Sequence, residues 1–346
     1  MQNSKVLSLF FAVMIAGIPA TAARKKPPKI DPAEKVVLDQ APAVLWHAHT
    51  DISKLNLYYG PGGEKHEPHG PFTFEKEELE GSSPKFVVRD RDRVKWKVKL
   101  GPEAKPETAA TRLVWAAGYF ANEDYLLPVL RVEKMPEKLQ RGQNLVSPDG
   151  SMVNARLKRY LKDEKKAENW KWRGNPFTGT REFNGLRVMM ALVNNWDLKD
   201  INTGVYAEKH RPKGNGLTRE FMVNDLGASF GTPRRDWPLM KAKGNFDEYN
   251  GSRFIRQVKP DYVDFNVPAN PSILVAVSPR DYFGHRKQGW IGRRIPRSDA
   301  RWIGQLLGHL SSNQIRDAFR AAGYGPGEIE GFAKVIEHRI AQLQDL

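Results

Sequence analysis

Residues 94–100, Val-Lys-Trp-Lys-Val-Lys-Leu, alternate strictly between apolar and basic side chains, whereas the last fifty residues repeat their apolar positions every three or four. The first pattern is that of a strand with one face buried, and the second that of a helix buried along one stripe. Strand-like segments therefore dominate the first part of the chain and helical ones the last. The natural architecture for such a chain is α+β, with sheet and helices segregated.

The strand pattern extends upstream. Residues 72–79 and 85–90 are strand-like, and the turn-like connectors 80–84 and 91–93 join them and residues 94–100 into an antiparallel meander. A helix is expected over 106–118, with Pro106 at its start, Glu107 in its first turn and Gly118 at its end. Strand-like segments recur at 125–132 and 151–157, and the charged stretch 162–171 reads as a crossing between lobes. From about Thr180 the period becomes helical: Phe183, Leu186, Val188, Met189, Leu192 and Val193 lead into Asn194-Asn195-Trp196-Asp197. A second hairpin is expected at 203–206 and 221–223, around the polar tip Lys213-Gly214-Asn215-Gly216. Stripes headed by Trp302, Ile315 and Ile329 form the closing helices.

At the N-terminus, Lys5 precedes an apolar run too short to span a bilayer comfortably, which ends in Pro19-Ala20-Thr21-Ala22-Ala23. A basic residue, an apolar core and small residues at the end describe a secretory signal peptide, cut after Ala22. The expected organisation is therefore a signal peptide at 1–22, a basic proline-rich leader at 23–45, a sheet lobe at 46–163 and a helical lobe at 164–346. The mature protein is expected to be secreted or periplasmic. There is no cysteine, which excludes disulfides, thiolate metal sites and a cysteine nucleophile. The formal charge of +15 points to anionic partners and falls by one when residues 1–22 are removed. It fits a nucleotide, but equally a non-catalytic protein that binds an anionic envelope polymer or phospholipid.

The chemistry is concentrated in Asp197-Leu198-Lys199-Asp200-Ile201-Asn202, followed by Asp225-Leu226-Gly227. Phosphoryl transfer needs a carboxylate near the acceptor hydroxyl, oxygen ligands for magnesium and cations to spread developing charge. Asp197 can accept the hydroxyl hydrogen bond, Lys199 can reach the transferring group, and Asn202 and Asp225 can offer oxygens to Mg²⁺.

The D-x-K-x-x-N loop followed by D-L-G resembles the signature of the protein-kinase-like superfamily. The resemblance implies a two-lobed fold with a small antiparallel sheet lobe carrying one helix, a larger helical lobe, and ATP and Mg²⁺ between them. It implies that Gly81, Ser82 and Ser83 cover the nucleotide, that Lys99 or Lys97 pairs with its phosphates, and that Glu107 holds that lysine. Asn195 stands where the family places histidine, leucine replaces the phenylalanine of D-F-G, and Asn202 and Asp225 are 23 positions apart. These features are more similar to atypical members of the HipA or CotH kind. The resemblance implies an acceptor hydroxyl, of protein, lipid or glycan, and nucleotidyl transfer on the same fold is the related alternative. Arg286, Lys287, Arg293, Arg294 and Arg297 surround Trp290 without a nucleic-acid-binding motif and are read as a solvated surface or acceptor site. His47 and His49 are read as surface histidines.

Overall fold

The computed structural model describes residues 38–81, 83–161, 165–207, 217–233, 241–267 and 288–346. The expected signal peptide, Ser82, the tip of the 203–223 hairpin and the Arg286-Lys287 pair lie outside these residues. The fold is α+β and two-lobed.

A two-residue strand, β1 (Ala43–Val44), precedes the sheet lobe. That lobe contains β2 (Phe72–Glu78), β3 (Lys85–Arg89), β4 (Lys95–Lys99), helix α1 (Ala104–Ala116), β5 (Asp124–Glu133) and β6 (Ser151–Arg159). The alternation read from the sequence places Phe86, Val88, Trp96, Val98 and Leu157 in one buried core with Leu130 and Met152. The Trp96 indole donates to Asp90 Oδ2 at 2.8 Å, which satisfies the one polar group that this ring takes inside.

The expected antiparallel sheet closes on itself as a barrel in the order β2-β3-β4-β6-β5. It is completed by a parallel pairing of Phe72 and Thr73 with Val132 and Glu133. A register shift between Phe74 and Lys76 adds local twist and carries β2 round to β5, a long-range event that residue alternation does not encode.

Helix α1 is buried on most of its faces, including Leu113 and Val114, and lies between the barrel and the second lobe. It stops because Gly118 adopts a φ of +89°, while Ala117 offers its carbonyl to the Trp46 indole at 2.7 Å.

The second lobe begins with β7 (Lys165–Glu168), followed by α2 (Arg181–Leu192), β8 (Thr203–Ala207) and β9 (Arg219–Val223). The stretch 162–171 is thus more than a crossing, since β7 pairs with β8. The Thr180 side chain accepts from the Phe183 amide to start α2, whose core-facing residues include Phe183, Leu186 and Met189. A short helix, α3 (Phe246–Asn250), and three longer ones pack around it: α4 (Arg297–Leu307), α5 (Ser312–Ala321) and α6 (Pro326–Gln344).

The leader expected at 23–45 gives up its end to this lobe. Leu38 and Leu45 are buried, and Ala43 and Val44 pair with Arg219 and Glu220 of β9. Residues beyond 45 follow the same surface. Gln314, in the capping box of α5, donates to the carbonyls of Ile52 and Leu55, at 2.9 Å each. Apolar side chains at 38, 45 and 57 explain why: they have more to bury against helices than a flexible leader would.

Candidate active site

Strand β4 ends at Lys99, and a turn through Gly101 and Pro102 starts α1, so a strand lysine and two helix glutamates converge. The Lys99 ammonium lies 2.6 Å from Glu107 Oε2, 2.9 Å from Glu103 Oε2 and 3.4 Å from Asp225 Oδ1 of the other lobe. One carboxylate oxygen from each of the three acids falls within 4.8 Å of the others. Burial alone would lower the Lys99 pKa. Glu107, Asp225 and Glu103 overcome it and hold the ammonium above the ordinary lysine range.

The partners are themselves held. Arg156 of β6 reaches Glu107 Oε1 at 3.3 Å and Asp124 at 2.6 Å, and Arg112 meets the same aspartate at 2.5 Å. Ser83 donates to Glu103 Oε2 at 2.7 Å, and Lys243 pairs with its other oxygen. Burial works to raise the Glu103 pKa, yet Lys99 and Lys243 bring it well below the usual carboxylate range. Asp225 behaves alike: burial opposes ionisation, and Lys99 together with the Gly227 amide wins. That amide donates to Asp225 Oδ1 at 3.1 Å. A β-carbon at position 227 would come within 2.8 Å of the Glu103 β-carbon, so glycine is what lets this turn approach the start of α1.

The loop after α2 is tied to the same place by hydrogen bonds. The Asn202 carbonyl accepts from the amides of Asn224 at 2.8 Å and Asp225 at 3.3 Å, and its side-chain amide donates to the Asp197 carbonyl at 2.7 Å. Asn195 accepts from the Asp197 amide at 3.0 Å and donates to the Asp225 carbonyl at 3.5 Å. Asparagine at 195 therefore works as a fully buried brace between the two motifs. Lys199 pairs with Asp197 Oδ1 at 3.0 Å.

Asp197, Lys199, Asn202, Asp225, Lys99, Glu107 and Ser83 thus lie in one connected region. Lys97 does not join the cluster: its ammonium pairs with Glu78 at 2.8 Å and sits over the Tyr160 ring. Gly81 is exposed, with a φ of +72° and its carbonyl bonded by Arg141. Ser82 lies outside the described residues.

Three further residues belong here that sequence reasoning did not single out. Glu103 has no signal, since it stands in what reads as a turn, and Arg156 reads as one more alternating strand residue. Lys85 has one: counting outward from Asp92, the turn between β3 and β4 places it opposite Lys99, and the register pairs them. It shares Lys99's side of the barrel, and its ammonium lies 3.3 Å from where a β-carbon on Gly81 would stand. Burial, and then Lys99, push the Lys85 pKa down.

Three strands, a helix, two strands, and then a helical lobe whose loop and hairpin complete a lysine–glutamate–aspartate cluster define a two-lobed protein-kinase-like fold. Among solved structures, the chain is similar to the proinflammatory kinase CtkA of Helicobacter pylori, at 12% identity and a TM-score of 0.42, over 79% of this chain and 96% of that one. It is also similar to the Golgi casein kinase with Mn/ADP bound, at 11% identity and a TM-score of 0.36, over 80% and 73% of the two chains. A further structure of the Golgi casein kinase gives 11% identity and a TM-score of 0.36 over 80% and 71% of the two chains. No family model matches the sequence, and no curated protein does.

Proposed function

We propose that this chain is an exported phosphotransferase that uses Mg-ATP to modify a hydroxyl of a protein, lipid or glycan. The observation that carries this reading is the Lys99 ammonium, fixed between Glu107 of α1 and Asp225 of the other lobe beside the hydrogen-bonded loop 197–202. Such an arrangement presents a rigid cation, an acidic metal-binding edge and a carboxylate for an acceptor in one cleft.

Lys99 binds donor phosphate oxygens, and Glu107, backed by Arg156, keeps its ammonium in place. Asp197 accepts the proton of the acceptor hydroxyl, whose oxygen forms the new bond to phosphorus as the bond to the departing ADP oxygen breaks. Lys199, beside Asp197, steadies the transferred group. The donor set fits a hard divalent cation, since Glu103, Glu107 and Asp225 bring carboxylate oxygens within 4.8 Å of one another and Asn202 has a neutral side-chain oxygen to add. Magnesium there would supply neutralisation of donor phosphate charge.

Calorimetry with Mg-ATP on the mature chain is the test. Saturable binding, diminished at least tenfold by Asp225→Asn, is expected. No binding by the unaltered chain would leave a basic, non-catalytic protein, recognisable by salt-sensitive binding to anionic polymer or phospholipid. Mass spectrometry of modified acceptors separates phosphoryl from nucleotidyl transfer by the mass added. Export predicts a secreted or periplasmic product that begins at Ala23.

A further inference from the structure

An open cavity of about 630 Å³ lies beside the Gly101-Pro102 turn, bounded by Lys105, Pro106, Asn154, Lys243, Gly244 and Tyr324. Lys99, Glu107, Asp225 and the 197–202 loop are not part of it, so it is a space separate from the candidate active site. Its charged lining residues are both lysines. Among the described residues no ion pair engages Lys105, whose ammonium lies 5.1 Å from the centre of the Tyr324 ring. Tyr324 is only 7% exposed, yet its hydroxyl has no hydrogen-bond partner among the described residues. That oxygen lies against Gly244, 2.4 Å from where a β-carbon would stand. Burial raises the tyrosine's pKa and keeps it a donor. Buried hydroxyls without partners are rare in folded proteins, and this one belongs to a residue that lines a cavity together with two lysines, a lining that calls for an acceptor carrying negative charge.

We propose that this cavity is a second ligand site, for a small phosphate-bearing molecule of sugar-phosphate size. Lys105 and Lys243 face its phosphate, and the Tyr324 hydroxyl donates to it. A dianion matches two cations and a neutral donor better than a single carboxylate does. The volume lies within the range of small-molecule sites. Asn144, Ser147 and Asn154 supply polar groups for sugar hydroxyls, with Leu145 and Val146 alongside. Lys243 already pairs with Glu103, so Lys105 and Tyr324 are the groups with most to gain from an occupant.

Calorimetry of the full chain at low salt, with ribose 5-phosphate and glucose 6-phosphate as probes and ribose as the neutral control, tests this. At least one phosphate should bind the unaltered chain at a single site and ribose should not. Lys105→Ala and Tyr324→Phe should each weaken that binding fivefold or more while their melting temperatures stay close to the original. The proposal is overturned if neither phosphate binds, if both variants bind as the original does, or if Lys85→Ala abolishes binding that Lys105→Ala leaves intact, which would put the phosphate in the cleft.

Discussion

Lys85 and Lys97 stand on the same side of the barrel as Lys99, yet their surroundings predict different behaviour. Lys85 has no ion pair among the described residues and sits across the strand from Lys99, whereas Lys97 is engaged by Glu78. A charge-assisted contact contributes about 1.5–3 kcal/mol, so Lys85→Ala should weaken Mg-ATP binding roughly 10–100-fold with little change in melting temperature. Lys97→Ala should weaken it by less than about threefold, since its ammonium is already spoken for. Lys99→Ala should also destabilise the apo chain, because three acids lose their shared cation. Breaking a buried pair in this way costs about 3–5 kcal/mol, visible as a lower denaturant midpoint. Glu103 and Asp225 titrate below their ordinary values of 4.5 and 3.8, so as pH falls the unfolded chain takes up their protons first. Their stabilisation is complete above about pH 5 and is lost as acid titrates them in the folded state. The melting temperature of Glu103→Gln should therefore fall less steeply than that of the original chain between about pH 5 and pH 3. Lys99 and Glu107 are readable in the sequence because a strand lysine followed by a helix glutamate is a local pattern. Glu103 is not, because nothing about a residue next to Gly101-Pro102 says that its carboxylate will be turned back onto Lys99.

Among the elements, α1 depends most on how it ends. Gly118 sits at a φ of +89°, and a β-carbon there would come within 2.4 Å of the His47 carbonyl oxygen, which is backbone and cannot swing away. Left-handed strain of about 1–2 kcal/mol adds to overpacking of about 1–3 kcal/mol, so Gly118→Ala should lower stability by several kcal/mol in chemical denaturation. The glycine was legible as a helix stop, and the strands were legible by their alternation at 94–100. The segment that packs against Gly118 was not, because Trp46 and His47 follow a proline-containing stretch that lacks periodicity. What draws them in is the Ala117 carbonyl, an unsatisfied group at a helix end that the Trp46 indole reaches. Barrel closure was hidden for a related reason: Phe72 and Val132 meet only once five strands have twisted through most of a circle.

For the whole molecule, the N-terminal segment belongs to the helical lobe although it precedes the barrel. A chain beginning at residue 58 lacks Leu38, Leu45 and Leu57, each at most 3% exposed, together with the carbonyls that Gln314 binds. Removing three buried leucines subtracts roughly 1.5–3 kcal/mol each, enough to exhaust the stability of an ordinary domain. Loss of a cooperative thermal transition is the expected result, and a chain that melts as the longer one does would show that the helical core stands without this segment. The barrel has a different consequence for association. Each of its five strands is hydrogen-bonded on both flanks, at least in part, so this lobe offers little unpaired backbone for a visiting peptide to extend. A protein that docks there must be read through its side chains and charge, which leaves β-augmentation to the open sheets outside the barrel, among them that of β1, β9, β8 and β7.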